Sequence, residues 1–177
     1  MKRLIPIVAA AICSFYACKN NRGSTTNQSD NSTAASATER NRQTALNAAK
    51  AYSNRNVDGA FKDCSSNYKE YGSDQPQPTK NLDSLKIHMK EFFNAFPDFK
   101  GGDFHAVADS NTVVIIGDWS GTFKKVYRKI APTGKSFKIT DADIFTFNNA
   151  GKITSHRSIQ SEITFLYQLG VQMPGKK

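Results

Sequence analysis

The second half of the chain carries the pattern that most restricts its fold: four segments suited to β-strands, separated by short turns. These segments are rich in β-branched and aromatic residues and cover 107–108, 112–123, 137–147 and 153–159. Between them lie Asp-Ser-Asn, Pro-Thr-Gly and Asn-Asn-Ala-Gly, which are typical of hairpin turns. Strands joined by hairpins run antiparallel, so this half of the chain predicts an antiparallel sheet.

The first half of the chain predicts helices. Apolar residues recur at spacings of three and four from Thr38 onward, and again after Asn56, which is a suitable N-cap residue. The clearest helix covers 81–96, where Asn81 caps the start and Pro97 ends the helix. Its apolar stripe consists of Leu82, Leu85, Met89, Phe92 and Phe96.

Three shorter elements complete the prediction. A strand is expected over 67–72, a loop over 73–80 because of its two prolines, and a closing helix over 162–169 that Gly170 ends. Helices followed by a meander of strands predict an α+β fold, in which one face of the sheet packs against the helices.

The N-terminus has the features of an export signal. A basic start precedes an apolar stretch over 4–17, which is too short for a permanent membrane-spanning helix. Ala17 directly precedes Cys18, and this arrangement resembles the lipidation site of bacterial lipoproteins. We expect a signal peptide at 1–17 and a lipidated Cys18 as the mature N-terminus. The alternative is an ordinary secretory signal that is cut near Ala17.

The remaining organisation follows from composition. Residues 18–38 carry almost no bulky apolar side chains, so we expect a flexible tether there. The folded domain is expected at 39–172, with a tail at 173–177. The expected location is the cell envelope, and Lys19 after the lipidated residue is typical of outer-membrane sorting in a two-membrane bacterium.

The formal charge of +9 at pH 7 favours acidic partners. Because an exported domain meets little nucleic acid, we expect no nucleic-acid partner. The expected partners are a small-molecule ligand and the membrane, reached through the lipid on Cys18. The basic residues within 124–138 predict a solvated hairpin, with contact to anionic lipid as the alternative.

The cysteines and histidines form no recognisable metal or nucleophile motif. Cys13 lies in the leader and Cys18 is expected to carry lipid, so Cys64 has no disulfide partner and is expected to act as a small apolar residue. The three histidines lack HxH and HxxxH spacing, and no Gly-x-Ser-x-Gly motif occurs. We therefore expect no metal and no cofactor.

Short motifs recur in a fixed order between residues 45 and 170. They are Phe96-Pro97-Asp98, Gly121-Thr122-Phe123, Pro132-Thr133-Gly134-Lys135, Asp143-Ile144-Phe145, Gly151-Lys152-Ile153 and Gln168-Leu169-Gly170. Together they resemble the SnoaL-like branch of the nuclear transport factor 2-like superfamily. The resemblance implies a cone-shaped fold, in which a curved antiparallel sheet wraps around N-terminal helices and leaves a deep apolar pocket. It also implies a homodimer through the outer face of the sheet.

Enzymes of this family generally use a carboxylate as acid and base in an apolar pocket, without metal or cofactor, since apolar surroundings raise its pKa toward neutrality. The chain departs from their pattern after the Gly-Lys-Ile turn. Ser155 lies where the cyclases typically carry an acidic residue, and Arg157 lies where they carry Trp. The usual proton-transfer carboxylate is therefore missing from its expected place.

His156, Asp143 and Asp141 are the remaining candidates for catalysis. The two aspartates share one strand face with Phe145, and a neighbouring strand carries His156, so a His–Asp couple would act as a proton shuttle. The structural alternatives are an exposed aspartate pair and a surface or core histidine. His105 and Asp118 are weaker candidates.

The expected ligand-binding residues are mostly aromatic side chains that would line the pocket: Trp119, Tyr68, Phe145, Phe92 and Arg157. On these observations, the first hypothesis is a membrane-tethered domain that binds a small apolar or aromatic molecule without turnover. The alternative is a cofactor-free isomerase, cyclase or hydrolase that uses an Asp/His acid–base pair. A third hypothesis is a dimeric interaction module whose pocket is filled.

Overall fold

The structure, a computed structural model, describes residues 27–73 and 75–171. Within this part, the helices are α1 (Asn27–Ser53), α2 (Val57–Phe61), α3 (Leu82–Ala95) and α4 (Glu162–Gln168). The strands are β1 (Cys64–Tyr71), β2 (Lys100–Asp109), β3 (Thr112–Thr122), β4 (Ser136–Phe147) and β5 (Ile153–Ser158). The predicted α+β fold class is confirmed.

The strands form one curved sheet in the order β1-β5-β4-β3-β2. The four strands β2 to β5 form the predicted antiparallel meander. The remaining strand, β1, adds to the edge of the sheet by pairing in parallel with β5. The sequence predicted β1 but did not predict its partner, because a parallel pair is joined by a long crossover that leaves no turn motif.

Side-chain caps fix the ends of the helices as the sequence predicted. Asn56 and Asn81 are the N-cap residues of α2 and α3, and each side chain accepts a hydrogen bond from a backbone N–H in the first turn. Ser161 does the same for α4. After α4, Gly170 has a φ of 66°, a left-handed conformation that ends a helix at low cost in glycine.

The first helix begins earlier than the sequence predicted. The expected flexible tether covered 18–38, but α1 already starts at Asn27, so the later part of that segment is helical. Three alanines within residues 34–37, which favour helix strongly, extend the helix from its packed region toward the N-terminus. The expected signal peptide, Cys18 and the tail after Val171 lie outside the described residues. Among those that are described, no helix is long and apolar enough to cross a membrane.

The core lies between the helices and the inner face of the sheet. Ala45 on α1 and Phe96, the residue that directly follows α3, are fully buried, and so are Val113 and Ile115 on β3. Aromatic rings dominate this layer, and the rings of Phe99 and Trp119 stack with their centroids 5.5 Å apart. Such ring contacts add stability beyond area burial alone, so the aromatic layer gives the domain a rigid interior.

Trp119 can take this position because its partner on β2, Gly101, has no side chain. Gly101 pairs with Trp119 in the register of β2 and β3. A Cβ atom at Gly101 would lie 2.3 Å from ring atoms of Trp119, which is far inside van der Waals contact. The neighbouring Gly102 has open space, with no atom within 4 Å of the corresponding position. Only Gly101 is therefore required by packing.

We expect Gly101→Ala to destabilise the domain by about 1–3 kcal/mol, because the indole must shift out of a close-packed layer. The matched variant Gly102→Ala is expected to change the free energy of unfolding by less than about 1 kcal/mol, since the new methyl group meets nothing. Urea unfolding followed by Trp119 fluorescence measures both variants. Equal destabilisation by the two variants would show that strand flexibility, and not the indole contact, requires glycine here.

Candidate functional site

A cavity of about 380 Å³ lies between the inner face of the sheet and helices α1, α3 and α4. Most of its wall is apolar, and the aromatic residues of the predicted site contribute much of it. Trp119, Tyr68, Phe145 and Phe92 all line the cavity. A cavity of this size and composition suits a small, largely apolar molecule.

One group of titratable side chains interrupts the apolar wall. His156 lies between two carboxylates, with its Nδ1 atom 2.8 Å from Glu70 Oε1 and its Nε2 atom 2.9 Å from Asp143 Oδ1. All three side chains are largely shielded from water: the exposed fraction is 18% for His156, 21% for Glu70 and 10% for Asp143. The imidazole therefore bridges two acids inside the cavity.

The sheet register brings these three residues together. Glu70 on β1 is the direct partner of His156 on β5 in the parallel pair. On the other side of β5, His156 is the antiparallel partner of Phe145, and Asp143 lies two residues earlier on the same face of β4. The three side chains therefore come from three adjacent strands and all point toward the cavity.

The surroundings shift the pKa values of both His156 and Asp143. Burial favours the neutral imidazole, but the charges of Glu70 and Asp143 and their hydrogen bonds outweigh burial, so the pKa of His156 lies well above its usual value. Burial also raises the pKa of Asp143, although the hydrogen bond and the charge of His156 oppose this rise. The group thus holds a proton on His156 at neutral pH.

Tyr68 extends the network outward from Glu70. Its hydroxyl donates a hydrogen bond to Glu70 Oε2. Burial first, and then the nearby charge of Glu70, raise the pKa of Tyr68 well above its usual value, so this hydroxyl stays protonated. Both oxygens of Glu70 are therefore bonded, one to Tyr68 and one to His156, which fixes the carboxylate beside the imidazole.

Asp141 has a different environment from Asp143, although only one residue separates them. Its Oδ2 accepts a hydrogen bond from Ser158 at 2.6 Å, and its Oδ1 accepts from the backbone N–H groups of Ile159 and Gln160. The carboxylate therefore holds the chain where it leaves β5. Asp141, one of the three catalytic candidates from the sequence, lines the cavity, but both of its oxygens already have partners in the protein.

The polar atoms of the site that have no hydrogen-bond partner among the described residues include one oxygen of Asp143, the hydroxyl of Tyr52 and the buried Oε1 of Gln160. Asp143 uses Oδ1 to bind His156, and its Oδ2 accepts no hydrogen bond from the part of the chain that is described. The same holds for the hydroxyl of Tyr52, which lines the cavity from α1. Burial raises the pKa of Tyr52 above its usual range, and the charge of Asp143 adds to this effect. The cavity thus offers a free carboxylate oxygen at Asp143 and a free hydroxyl donor at Tyr52.

Arg157 does not belong to the cavity, in contrast to the sequence prediction. Side chains alternate along β5, so Arg157 points to the opposite face from His156, and its guanidinium lies 4.2 Å from the centre of the Tyr71 ring. The weaker candidates also lie outside the cavity. His105 is exposed on β2, and Asp118 accepts a hydrogen bond from Thr140 and lies 3.9 Å from Lys138.

Cys64 begins β1 and packs against the core. Burial raises the pKa of its thiol to about 12, so the sulfur stays protonated at neutral pH and is a poor nucleophile. This environment fits the predicted role as a small apolar residue. The predicted lipidation site, Cys18, lies outside the described residues.

The sequence prediction missed Glu70 and Tyr52 as site residues. Glu70 lies two residues after Tyr68 on β1, so their side chains share a face. The contact between Glu70 and His156, however, depends on the parallel pairing of β1 with β5, which the sequence did not predict. Tyr52 belongs to the stripe of apolar residues along the first helix, and that stripe predicted only packing. Its hydroxyl at the end of that stripe was the available signal.

A protein-family model described as SnoaL-like polyketide cyclase matches residues 42–169. Among curated proteins, the chain has no significant match. Similarity to solved structures is extensive but remote in sequence. AclR from Streptomyces galilaeus, described as a hydroxylase, is 20% identical with a TM-score of 0.64, over 75% of this chain and 97% of that chain.

Two further structures show the same fold. A SnoaL-like polyketide cyclase structure from Jannaschia sp. CCS1 is 13% identical with a TM-score of 0.68, over 76% of this chain and 94% of the other. A phenazine biosynthesis-related protein from Pseudomonas aeruginosa is 16% identical with a TM-score of 0.63, over 82% of this chain and 95% of the other. At these identities the similarity establishes the fold and not the activity.

The position of His156 predicts a pH dependence of stability. The folded chain binds the imidazole proton more tightly than the unfolded chain, so this stabilisation is present below the ordinary pKa of 6.5 and is lost as pH rises through the folded pKa. We expect the free energy of unfolding to fall from neutral to alkaline pH, and His156→Gln to remove most of this fall. Urea unfolding of both proteins across that range measures the difference.

The exposed His105 provides the control. His105→Gln is expected to keep the pH dependence of the unmodified chain. The interpretation would be wrong if His156→Gln and the unmodified chain lost stability in parallel, or if the imidazole of His156 titrated at or below 6.5 by NMR.

Proposed function

Because the chain belongs to the SnoaL-like polyketide cyclase family, we propose that its cone-shaped domain is a cofactor-free acid–base catalyst that acts on a small, largely apolar or aromatic molecule. The observation that carries this proposal is the bridged imidazole of His156, which leaves one oxygen of Asp143 free in an apolar cavity. A ligand-binding domain without turnover has no need to bury three titratable groups together, since burial costs stability.

In the proposed reaction, Asp143 touches the substrate. Its free Oδ2 atom accepts a proton from a carbon acid next to a carbonyl group, so a C–H bond breaks and an O–H bond forms. The raised pKa of Asp143 suits this exchange, because a carboxyl group with a pKa nearer neutrality both accepts and returns a proton efficiently. Returning that proton to another carbon gives an isomerisation. Alternatively, the carbanion attacks a second carbonyl of the same molecule and closes a ring: a C–C bond forms, the C=O π bond opens to an alkoxide, and the alkoxide takes the proton back from Asp143.

The neighbouring groups position Asp143 and stabilise charge. His156 binds the other oxygen of Asp143 and is itself held by Glu70, so the carboxylate keeps one orientation. The protonated hydroxyl of Tyr52 is the donor available to the oxygen of the developing enolate. Donors aimed at such an oxygen in a site with little water contribute strongly to catalysis.

Binding without turnover, the first hypothesis from the sequence, keeps one observation in its favour. Both ring nitrogens of His156 already bind protein carboxylates, so the imidazole itself has no free position for a substrate. The proposed proton transfer therefore rests on Asp143, with Tyr52 as the donor to the substrate oxygen, and the experiment below separates the two functions.

The same proposal includes the setting of the domain. Export and attachment through lipid on Cys18 rest on the basic start, the apolar stretch and the Ala-Cys pair of the leader. A homodimer through the outer face of the sheet is supported by Val107 and Ile116, which are exposed there. Sedimentation of the purified chain at the mass of a monomer would contradict the dimer.

Deuterium exchange tests the chemistry without knowledge of the natural substrate. In D₂O, the protein is expected to accelerate exchange at the acidic C–H positions of β-tetralone and anthrone, which are small aromatic ketones, as followed by NMR. Asp143→Asn is expected to lower this rate roughly hundredfold or more, because amide oxygen is a far weaker base. The matched control is Asp118→Asn on the outer face, which is expected to keep the full rate.

Binding is measured in parallel through quenching of Trp119, which lines the cavity. Quenching by either ketone without accelerated exchange would support a binding domain and overturn the catalytic proposal. An Asp143→Asn variant that binds and exchanges like the unmodified chain would overturn the role of Asp143.

Lipidation of Cys18 has its own test. The chain expressed in a bacterium is expected to partition into the detergent phase of Triton X-114, with an N-terminal peptide that carries a diacylglyceryl group by mass spectrometry. Cys18→Ser is expected to move the protein to the aqueous phase or to leave the leader uncut. An unmodified Cys18 in a cleaved, water-soluble product would favour the ordinary secretory signal.

A further inference from the structure

The mouth of the cavity can be located from the exposure of its lining. Most lining side chains are buried or half-buried, whereas Gln75, His88 and Arg128 are exposed to solvent. The cavity therefore opens between the segment after β1, the middle of α3 and the turn at 127–130. Glu162 at the start of α4 lines the cavity as well.

Most of the exposed large apolar side chains lie next in sequence to residues that line the cavity. In the part of the chain that the structure describes, seven large hydrophobic residues are exposed, and five of them are direct sequence neighbours of cavity-lining residues. These five, which we call the mouth rim, are Ile87, Val126, Ile159, Ile163 and Tyr167, with exposed fractions from 55% to 82%. The other two lie on the sheet's outer face.

Basic side chains lie among the residues of the mouth rim. The segment 124–138 carries six basic residues and no acidic one. Lys138 lies 3.9 Å from Asp118, whereas no other basic residue of the segment lies within ion-pair distance of a carboxylate among the described residues. Two carboxylates, Glu91 and Glu162, lie near enough to act on Tyr127 and offset part of this charge.

A tight turn presents two of these cations. Tyr127 and Ile130 form a β-bridge, and the two residues between them, Arg128 and Lys129, have φ values of 47° and 66°. Both central residues with positive φ are typical of a type I′ hairpin turn, which usually contains Asn or Gly. Arg128 and Lys129 are exposed at the tip of this turn, directly beside the mouth.

We propose that the mouth rim and the turn at Arg128 and Lys129 dock onto an anionic lipid membrane, so that the cavity opens toward the bilayer. Exposed aliphatic and aromatic side chains together with a cationic turn match a lipid surface, where the apolar groups enter the acyl boundary and the cations meet phosphates. A nucleic acid would leave Val126, Ile163 and Tyr167 without apolar partners.

Docking in this orientation gives an apolar molecule a direct path from the bilayer into the cavity. The proposed membrane docking does not depend on whether the cavity converts its ligand or only binds it. It also acts independently of the lipid expected on Cys18, which would add a second attachment. Two weak membrane contacts together hold a protein far longer than either contact alone.

Vesicle binding by the full chain tests the proposal, with Cys18→Ser in every variant so that no acyl chain contributes. Vesicles contain phosphatidylcholine alone or with a third of phosphatidylglycerol. Hydrogen–deuterium exchange is expected to slow in 124–130 and 159–168 on the anionic vesicles, and high salt is expected to reverse this protection. Residues 1–17 are common to all variants and contribute equally.

Two rim variants separate charge from apolar insertion. Arg128→Glu with Lys129→Glu is expected to weaken partitioning onto anionic vesicles by at least about twentyfold, at roughly fivefold for each charge that is neutralised. Val126→Ser with Tyr167→Ser is expected to weaken it as well, and both pairs are exposed, so the fold should tolerate them. The matched control is Lys69→Glu with Lys100→Glu, which makes the same change in net charge on β1 and β2, where alternation turns both side chains to the outer face of the sheet.

Three results would overturn the proposal. One is an equal loss of partitioning in the control and in the Arg128/Lys129 variant. Another is binding to anionic vesicles with no protection of 124–130 and 159–168. The third is tighter binding to a DNA duplex than to vesicles, lost in the charge variant but kept in the Val126/Tyr167 variant.

Discussion

The parallel pairing of β1 with β5 is the contact on which the site depends. It closes one edge of the sheet and sets Glu70 directly beside His156. Without this pair, the imidazole would face Asp143 alone and would lose the charge of Glu70, which is the largest influence opposing the effect of burial on the pKa of His156. The second carboxylate changes that balance, and the resulting proton on His156 fixes how Asp143 presents its remaining oxygen to the cavity.

The two aspartates of β4 show that the role of a side chain depends on residues from other parts of the chain. Asp141 and Asp143 share a face of one strand and differ in position by two residues. At Asp141, the chain that leaves β5 supplies a hydroxyl and two backbone donors, so its oxygens are all occupied. At Asp143, the imidazole is the only side-chain hydrogen-bond partner within the described part of the chain, and one carboxylate oxygen stays available. Identical side chains thus serve structure and chemistry according to what packs against them.

Most of the fold could be predicted from local sequence patterns. The spacing of Leu85, Met89 and Phe92, the caps Asn56 and Asn81, and the turn at Gly151 each act within a few residues, and each occurs where predicted. The site could be predicted only in part. His156 and Asp143 were recognisable as titratable groups on neighbouring strands, but Glu70 is 86 residues away from His156, and its approach depends on a register with no local signal. The prediction that Arg157 lines the pocket was wrong for a simpler reason. Side chains alternate along β5, so Arg157 and His156 point to opposite faces of the sheet.

The balance of charge inside the cavity limits what it can admit. Three carboxyl groups, those of Glu70, Asp141 and Asp143, line the wall near a single imidazole at its inner end. Even with His156 protonated, the interior offers no surplus of positive charge to a carboxylate or a phosphate. A molecule that carries such a group would lose its hydration and gain repulsion on entry. The charges of the inner end therefore favour neutral or cationic compounds, in contrast to the cationic turn at Arg128 and Lys129.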